Sequence, residues 1–195
     1  VVNSPPFQES FPEVKISPES QAAGRWNTVD GGEYFAAGVG AAITGRGADL
    51  LIIDDPHSEQ DALSSTSFEA CYEWYTSGPR QRLQPGGSIV IVMTRWSTKD
   101  LTAEVLKMQS RKGADQWEVI EFPAIFEDDS VLWPGFWSRD ELEGVKSSLP
   151  VSKWSAQWLQ KPTSDAASIL KREWWKKWED DDPPRCEYVL QSYDT

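Results

Sequence analysis

An α/β fold organised around a parallel sheet is predicted by two aliphatic runs and by the polar tips and helical spacing behind them. Leu50-Leu-Ile-Ile-Asp-Asp-Pro56 and Ser88-Ile-Val-Ile-Val-Met-Thr-Arg-Trp96 are continuously apolar rather than alternating, the pattern of strands covered on both faces. Each run ends on a polar tip and leads into apolar residues at helical spacing. That repeated strand–tip–helix unit belongs to parallel sheets, whose ligands sit at the carboxyl ends of the strands.

The elements are justified in chain order. Residues 1–21 are rich in Pro, Ser and Glu without periodicity and are expected to form loop. Gly24 to Val29, the turn Asp30-Gly-Gly32 and Glu33 to Gly38 read as a hairpin, because Asp-Gly suits left-handed turn geometry. Behind the first aliphatic strand, Thr66 and Glu69 form a capping-box pattern. Phe68, Cys71, Tyr72 and Tyr75 then mark a helix running to about Gly78-Pro79. Pro85-Gly86-Gly87 is expected to break the chain before the second strand. Ser97-Thr-Lys-Asp100 reads as a capping box for a helix carrying Leu101, Val105 and Met108. Trp117–Phe122 is a further strand candidate. Ser138 with Glu141 starts a helix carrying Leu142, Val145 and Leu149, and Pro150 opens a last one with Trp154 and Trp158 one turn apart.

A chain of 195 residues buries one sizeable core, or one core and part of a second. The formal net charge of −12 argues against a surface that simply coats nucleic acid, although a groove can be basic within an acidic molecule. Cys71 and Cys186 read as small core residues of a reduced cytosolic protein, not as a disulfide or metal pair. No apolar run reaches membrane-spanning length and no signal peptide is visible.

The chemistry concentrates at the strand tips. Asp54 and Asp55 at a strand's carboxyl end have the pattern of a Walker B strand, suited to holding a hydrated Mg²⁺ (Asp54) and orienting a water (Asp55). The bland alternative is a core strand whose Asp-Asp-Pro caps a turn. Arg46, between two glycines, presents a guanidinium fit to stabilise a transferring phosphoryl, as a finger towards a neighbouring subunit, or to contact DNA phosphate. Its alternative is a surface Arg in a loop. For Thr94 and Arg95 the competing reading is a polar strand terminus with a salt bridge. His57, the single histidine, is expected to be a loop residue rather than a ligand or base. One histidine and two distant cysteines assemble no Ser-His-Asp or clustered Cys/His site.

Eight of the eleven tryptophans lie between Trp117 and Trp178. Interleaved with Lys171, Arg172, Lys176 and Lys177 they suggest stacking on single-stranded bases. The favoured reading is that Leu170, Trp174 and Trp178 form one packing face of a helix. Glu179-Asp-Asp-Asp-Pro-Pro184 looks like a solvated interdomain connection.

Taken in order, a set of short motifs resembles the large terminase subunit of tailed bacteriophages. They are Gly31-Gly-Glu-Tyr-Phe-Ala-Ala-Gly38, Thr44-Gly-Arg-Gly-Ala-Asp49, Ile52-Ile-Asp-Asp-Pro56, Met93-Thr-Arg-Trp96 with Asp100-Leu101, and Phe122-Pro-Ala-Ile125. Trp133-Pro134, Ala156-Gln-Trp-Leu-Gln-Lys-Pro162 and Tyr193-Asp-Thr195 extend the match. The resemblance implies a partial P-loop ATPase on a parallel sheet, a helical Trp-rich subdomain, and the first strand of an RNase H-like nuclease domain. The boundaries expected are 1–115 for the ATPase part, 116–182 for the helical linker and 183–195 for the start of the nuclease. It further implies that Thr94 and Arg95 occupy the coupling motif beside bound nucleotide, and that Asp194 is the first metal-binding aspartate of the nuclease. Many terminases and related ATPases carry Glu where this chain has Asp55.

The implied activity is ATP-driven translocation of viral double-stranded DNA into procapsids, with endonucleolytic cleavage, in the host cytoplasm. ATP and Mg²⁺ are the implied cofactors. Portal protein, small terminase subunit and further copies in a homo-oligomeric ring are the implied partners. The chain has no Gly-x-x-x-x-Gly-Lys-Ser/Thr loop and no initiator Met, so it is expected to be an internal fragment, inactive alone. Alternatives are a helicase-like P-loop ATPase fragment and a non-enzymatic module that docks a partner through its acidic, tryptophan-rich surface.

Overall fold

The computed structural model describes residues 2–41 and 43–163, which belong to one compact unit. It is a mixed α/β structure with a three-stranded antiparallel sheet and a two-stranded parallel sheet.

The N-terminal segment departs from the expected loop. A short helix, α1 (Pro5–Ser10), starts on Pro at its first turn, where the missing N–H has no partner to lose. It leads into β1 (Ile16–Ala22), which pairs antiparallel with β2 (Arg25–Thr28). The sequence does not signal this strand, because Ser, Glu and Gln interrupt any alternation. The expected hairpin is present. β2 pairs with β3 (Glu33–Phe35), and Trp26 stacks on its cross-strand partner Tyr34 at 4.9 Å. Gly31 supplies the left-handed turn residue at φ 88°.

The parallel pair is β4 (Ala48–Asp54) and β5 (Leu83–Val92), in register from Leu50 opposite Ser88 to Asp54 opposite Val92. Between them runs α2 (Ser65–Ser77), the crossover that parallel strands require. Pro85-Gly86-Gly87 does not precede β5, as expected, but forms an irregularity inside it. There a Cβ at Gly87 would lie 2.9 Å from the Asp49 carbonyl oxygen, so only glycine lets the strands approach.

The core lies on one face of this sheet. Ile53 packs with Cys71 and Tyr75 of α2 and with Leu101 and Val105 of α3 (Leu101–Met108), with Leu51, Ile89 and Ile91 at its margin. The other face corrects the expectation of fully covered strands. Leu50, Ile52, Val90 and Val92 are exposed, Ile52 at 60%. Continuity of the aliphatic run therefore does not correspond to cover on both sides among the described residues.

Two helix starts differ from their expected caps. α2 is preceded by Ser64 with no side-chain cap, not by a Thr66–Glu69 box. α3 is capped by Asp100, whose carboxylate accepts the Ala103 N–H, not by Ser97. α4 (Arg139–Ser148) does carry the expected Ser138–Glu141 capping box and buries Leu142. After it, α5 (Val151–Lys153) widens into a π-helical turn over Trp154–Trp158, where the two tryptophans stack at 5.5 Å. Trp117–Phe122 does not form a strand with any of the described residues, among which 117–123 make no backbone–backbone hydrogen bond. Residues on both sides of the expected 115/116 boundary are tied together by the Lys153–Glu59 ion pair (3.7 Å) and by the Arg95 N–H, which donates to Gln160 Oε1 (3.3 Å).

Candidate functional site at the strand tips

β4 and β5 run parallel and end together, so their polar tips meet at one edge. Asp55 donates its N–H to the Val92 carbonyl at 2.9 Å. The Asp55 carboxylate in turn accepts the Thr94 N–H at 3.3 Å. This two-way bond holds Asp55 in a left-handed backbone, φ 41°, which Asp tolerates better than most residues. Asp54 and Asp55 are both exposed. By strand alternation Asp54 shares the face of Leu50 and Ile52, outside the core.

Arg95 is oriented differently from a free guanidinium at a tip. Its Nε donates to both carboxylate oxygens of Asp100, at 3.0 and 3.3 Å, and its backbone N–H donates to Gln160 Oε1 at 3.3 Å. Asp100 has no exposed surface. Its carboxylate also accepts the N–H groups of Trp96 (3.0 Å), Ser97 (3.2 Å) and Ala103 (2.9 Å). One buried carboxylate thus folds the Thr94–Ser97 turn and caps α3, satisfied by charge and by backbone donors as a buried charge must be.

His57 lies in the loop after β4, as expected, and is buried there. Its Nε2 accepts the Leu101 N–H at 3.0 Å, and its ring meets Phe68 edge-on at 4.9 Å. Accepting at Nε2 puts the proton of the neutral ring on Nδ1, which has no partner. Burial pushes the imidazole below its usual pKa, against the opposing pull of the Asp100 and Asp61 carboxylates. His57 and Asp100 together bind the β4 tip to the start of α3. The helical spacing of Leu101 and Val105 directly after Asp100 is the sequence signal for the cap. Nothing in the sequence signals burial of His57.

Arg46 is not at this edge. It precedes β4, whose seven residues span about 20 Å at the usual strand rise, so Asp54 lies at the other end. The guanidinium pairs with Glu33 and sits 4.3 Å from the Phe35 ring centre, facing the small antiparallel sheet. Asp194, Cys186, the 183–195 segment and the Leu170–Trp178 stretch with its four basic residues lie outside the described residues.

Among the described residues no group of three or more His, Cys, Asp or Glu side chains is arranged to hold a metal ion. Magnesium often needs only one or two carboxylates, with water and phosphate completing its shell. The exposed Asp54–Asp55 tip fits that role. The residues do not by themselves fit ATP, since the sequence contains no phosphate-cradling loop with its lysine. No helix among the described residues is long and apolar enough to cross a membrane.

No protein-family model matches the chain, and no curated protein matches it.

Proposed function

We propose that this chain is part of a phage large terminase subunit, contributing the magnesium-side strand and the coupling strand of a DNA-packaging ATPase. The observation that carries this reading is the bond between Asp55 and Thr94 across adjacent, parallel strand ends. It joins an acidic tip to a polar tip at the edge where α/β sheets bind ligands. In this reading Asp54 holds Mg²⁺ through water, Asp55 orients the attacking water, and Thr94 and Arg95 register the state of the site. The parent enzyme hydrolyses ATP to move viral double-stranded DNA, with portal protein, small terminase subunit and sister subunits as partners. Arg46, remote from Asp54, serves a neighbouring subunit or DNA. Asp194 contributes to the nuclease centre.

Two measurements test the proposal. The coding sequence adjoining this chain should contain a phosphate-loop lysine upstream and acidic nuclease residues downstream; a start codon immediately before Val1 would overturn it. In the full-length protein, Asp54→Ala should abolish ATP turnover while leaving the fold intact. The chain alone should bind Mg²⁺-ATP no more tightly than millimolar, and micromolar binding by calorimetry would contradict the assignment of the phosphate cradle to another segment.

A further inference from the structure

We infer that the aromatic surface around Phe122 and Trp133 docks an extended, basic segment of a partner protein, anchored by one apolar side chain. Phe122, Trp133 and Phe136 are 66%, 62% and 62% exposed, a density of uncovered aromatic surface that marks interaction sites. Beside them lies a cleft of about 200 Å³ walled by Leu132, Trp137 and Trp158, with Leu142 in its lining. Small-molecule sites begin at roughly 300 Å³, so this cleft suits a single leucine- or proline-sized side chain. Its walls are preformed, because Trp137 meets Trp158 edge-on at 5.7 Å and Trp158 stacks on Trp154.

Two further observations define the occupant. Residues 118–143 contain eight acidic residues and one basic residue, Arg139; Glu127, Asp129 and Glu143 are paired with Lys161, Arg139 and Lys146, which leaves an acidic excess. Glu118 and Glu121, beside Phe122 in the chain, are exposed and make no ion pair among the described residues. Such a field repels phosphate backbones and attracts cationic peptide. Among the described residues the backbone of 117–123 makes no backbone–backbone hydrogen bond, the state from which strand addition proceeds. The aromatic anchor, the acidic residues neighbouring it in the chain and a backbone unpaired among the described residues together favour an extended basic polypeptide over nucleic acid. This inference stands independently of the packaging-motor reading.

The test is selection of a displayed random peptide library on the whole chain, since strand-addition ligands are extended peptides. Enriched peptides should carry net positive charge and a Leu, Pro or aromatic residue. Trp133→Ala should weaken the selected peptide about thirtyfold, the scale of a hot-spot aromatic. Glu121→Lys, which leaves the cleft intact, should weaken it as well and reduce its salt dependence. Val29→Ser, at an exposed site that does not line the cleft, should not. Enrichment equal on the Trp133→Ala chain, or acidic selected peptides, would overturn the inference. So would displacement of the peptide by oligo-dT, or a dimer in sedimentation that dissociates on Trp133→Ala.

Discussion

Arg95 and Asp100 form a 3.0 Å ion pair in which the carboxylate is wholly buried and the arginine side chain largely so. The same carboxylate caps α3, so the pair is joined to the helix start and not merely laid over it. Movement of Arg95 therefore changes the environment of the first turn of α3.

Asp100→Ala is expected to destabilise the chain by about 2–3 kcal/mol, combining loss of a cap with an unpaired, largely buried guanidinium. Thermal unfolding should fall by about 5–10 °C for a chain of this size. Asp100→Asn keeps an acceptor oxygen and should lose less. Equal losses in the two variants would show that the charge, not the cap, dominates.

His57 sets a pH window. Its folded-state pKa lies below the ordinary value of 6.5, so between the two values the unfolded chain binds the extra proton. Stability is full above about pH 6.5 and declines as pH falls towards the folded value. Protonation also turns Nε2 from acceptor into donor, facing the Leu101 N–H. Urea denaturation at several pH values should show this decline, and His57→Gln should flatten it.

Cys71 is buried and its thiol is pushed up to about 11 by desolvation. In a Cys186→Ser background, alkylation by iodoacetamide near pH 8 should be negligible in the folded chain and rapid in concentrated urea. Fast native labelling would mean that α2 opens locally.

Ile52→Thr should reduce binding of an apolar-surface dye while changing stability by less than about 0.5 kcal/mol, because Ile52 lies outside the core. Ile53→Thr, one residue on and buried, should cost several times more. Equal costs would mean that both faces of β4 are packed in solution.

The contrast between these neighbours shows where the sequence is legible. Aliphatic runs identify β4 and β5, their parallel sense and the edge carrying Asp54, Asp55 and Thr94. They do not tell which face is covered, since that depends on α2 and α3 packing from one side. The Phe68–Cys71–Tyr75 spacing locates the helix, but its first residue depends on local backbone satisfaction, and Ser64 makes no side-chain cap. Ser97 and Asp100 have the spacing of a box, yet Asp100 is itself the cap and the helix starts three residues later. β1 carries too many polar residues to announce itself, and Trp117–Phe122 has the composition of a strand without a pairing partner among the described residues.

The left-handed backbone at Asp55 constrains what descent can place there. Asp and Asn reach φ 41° at low cost and Gly at none. A longer acid such as Glu incurs a penalty there of about 1 kcal/mol. The acid at this position is therefore matched to its backbone as well as to its charge. Divergence at position 55 should run towards Asn or Gly, with Glu arriving only alongside changes at Pro56 or Thr94.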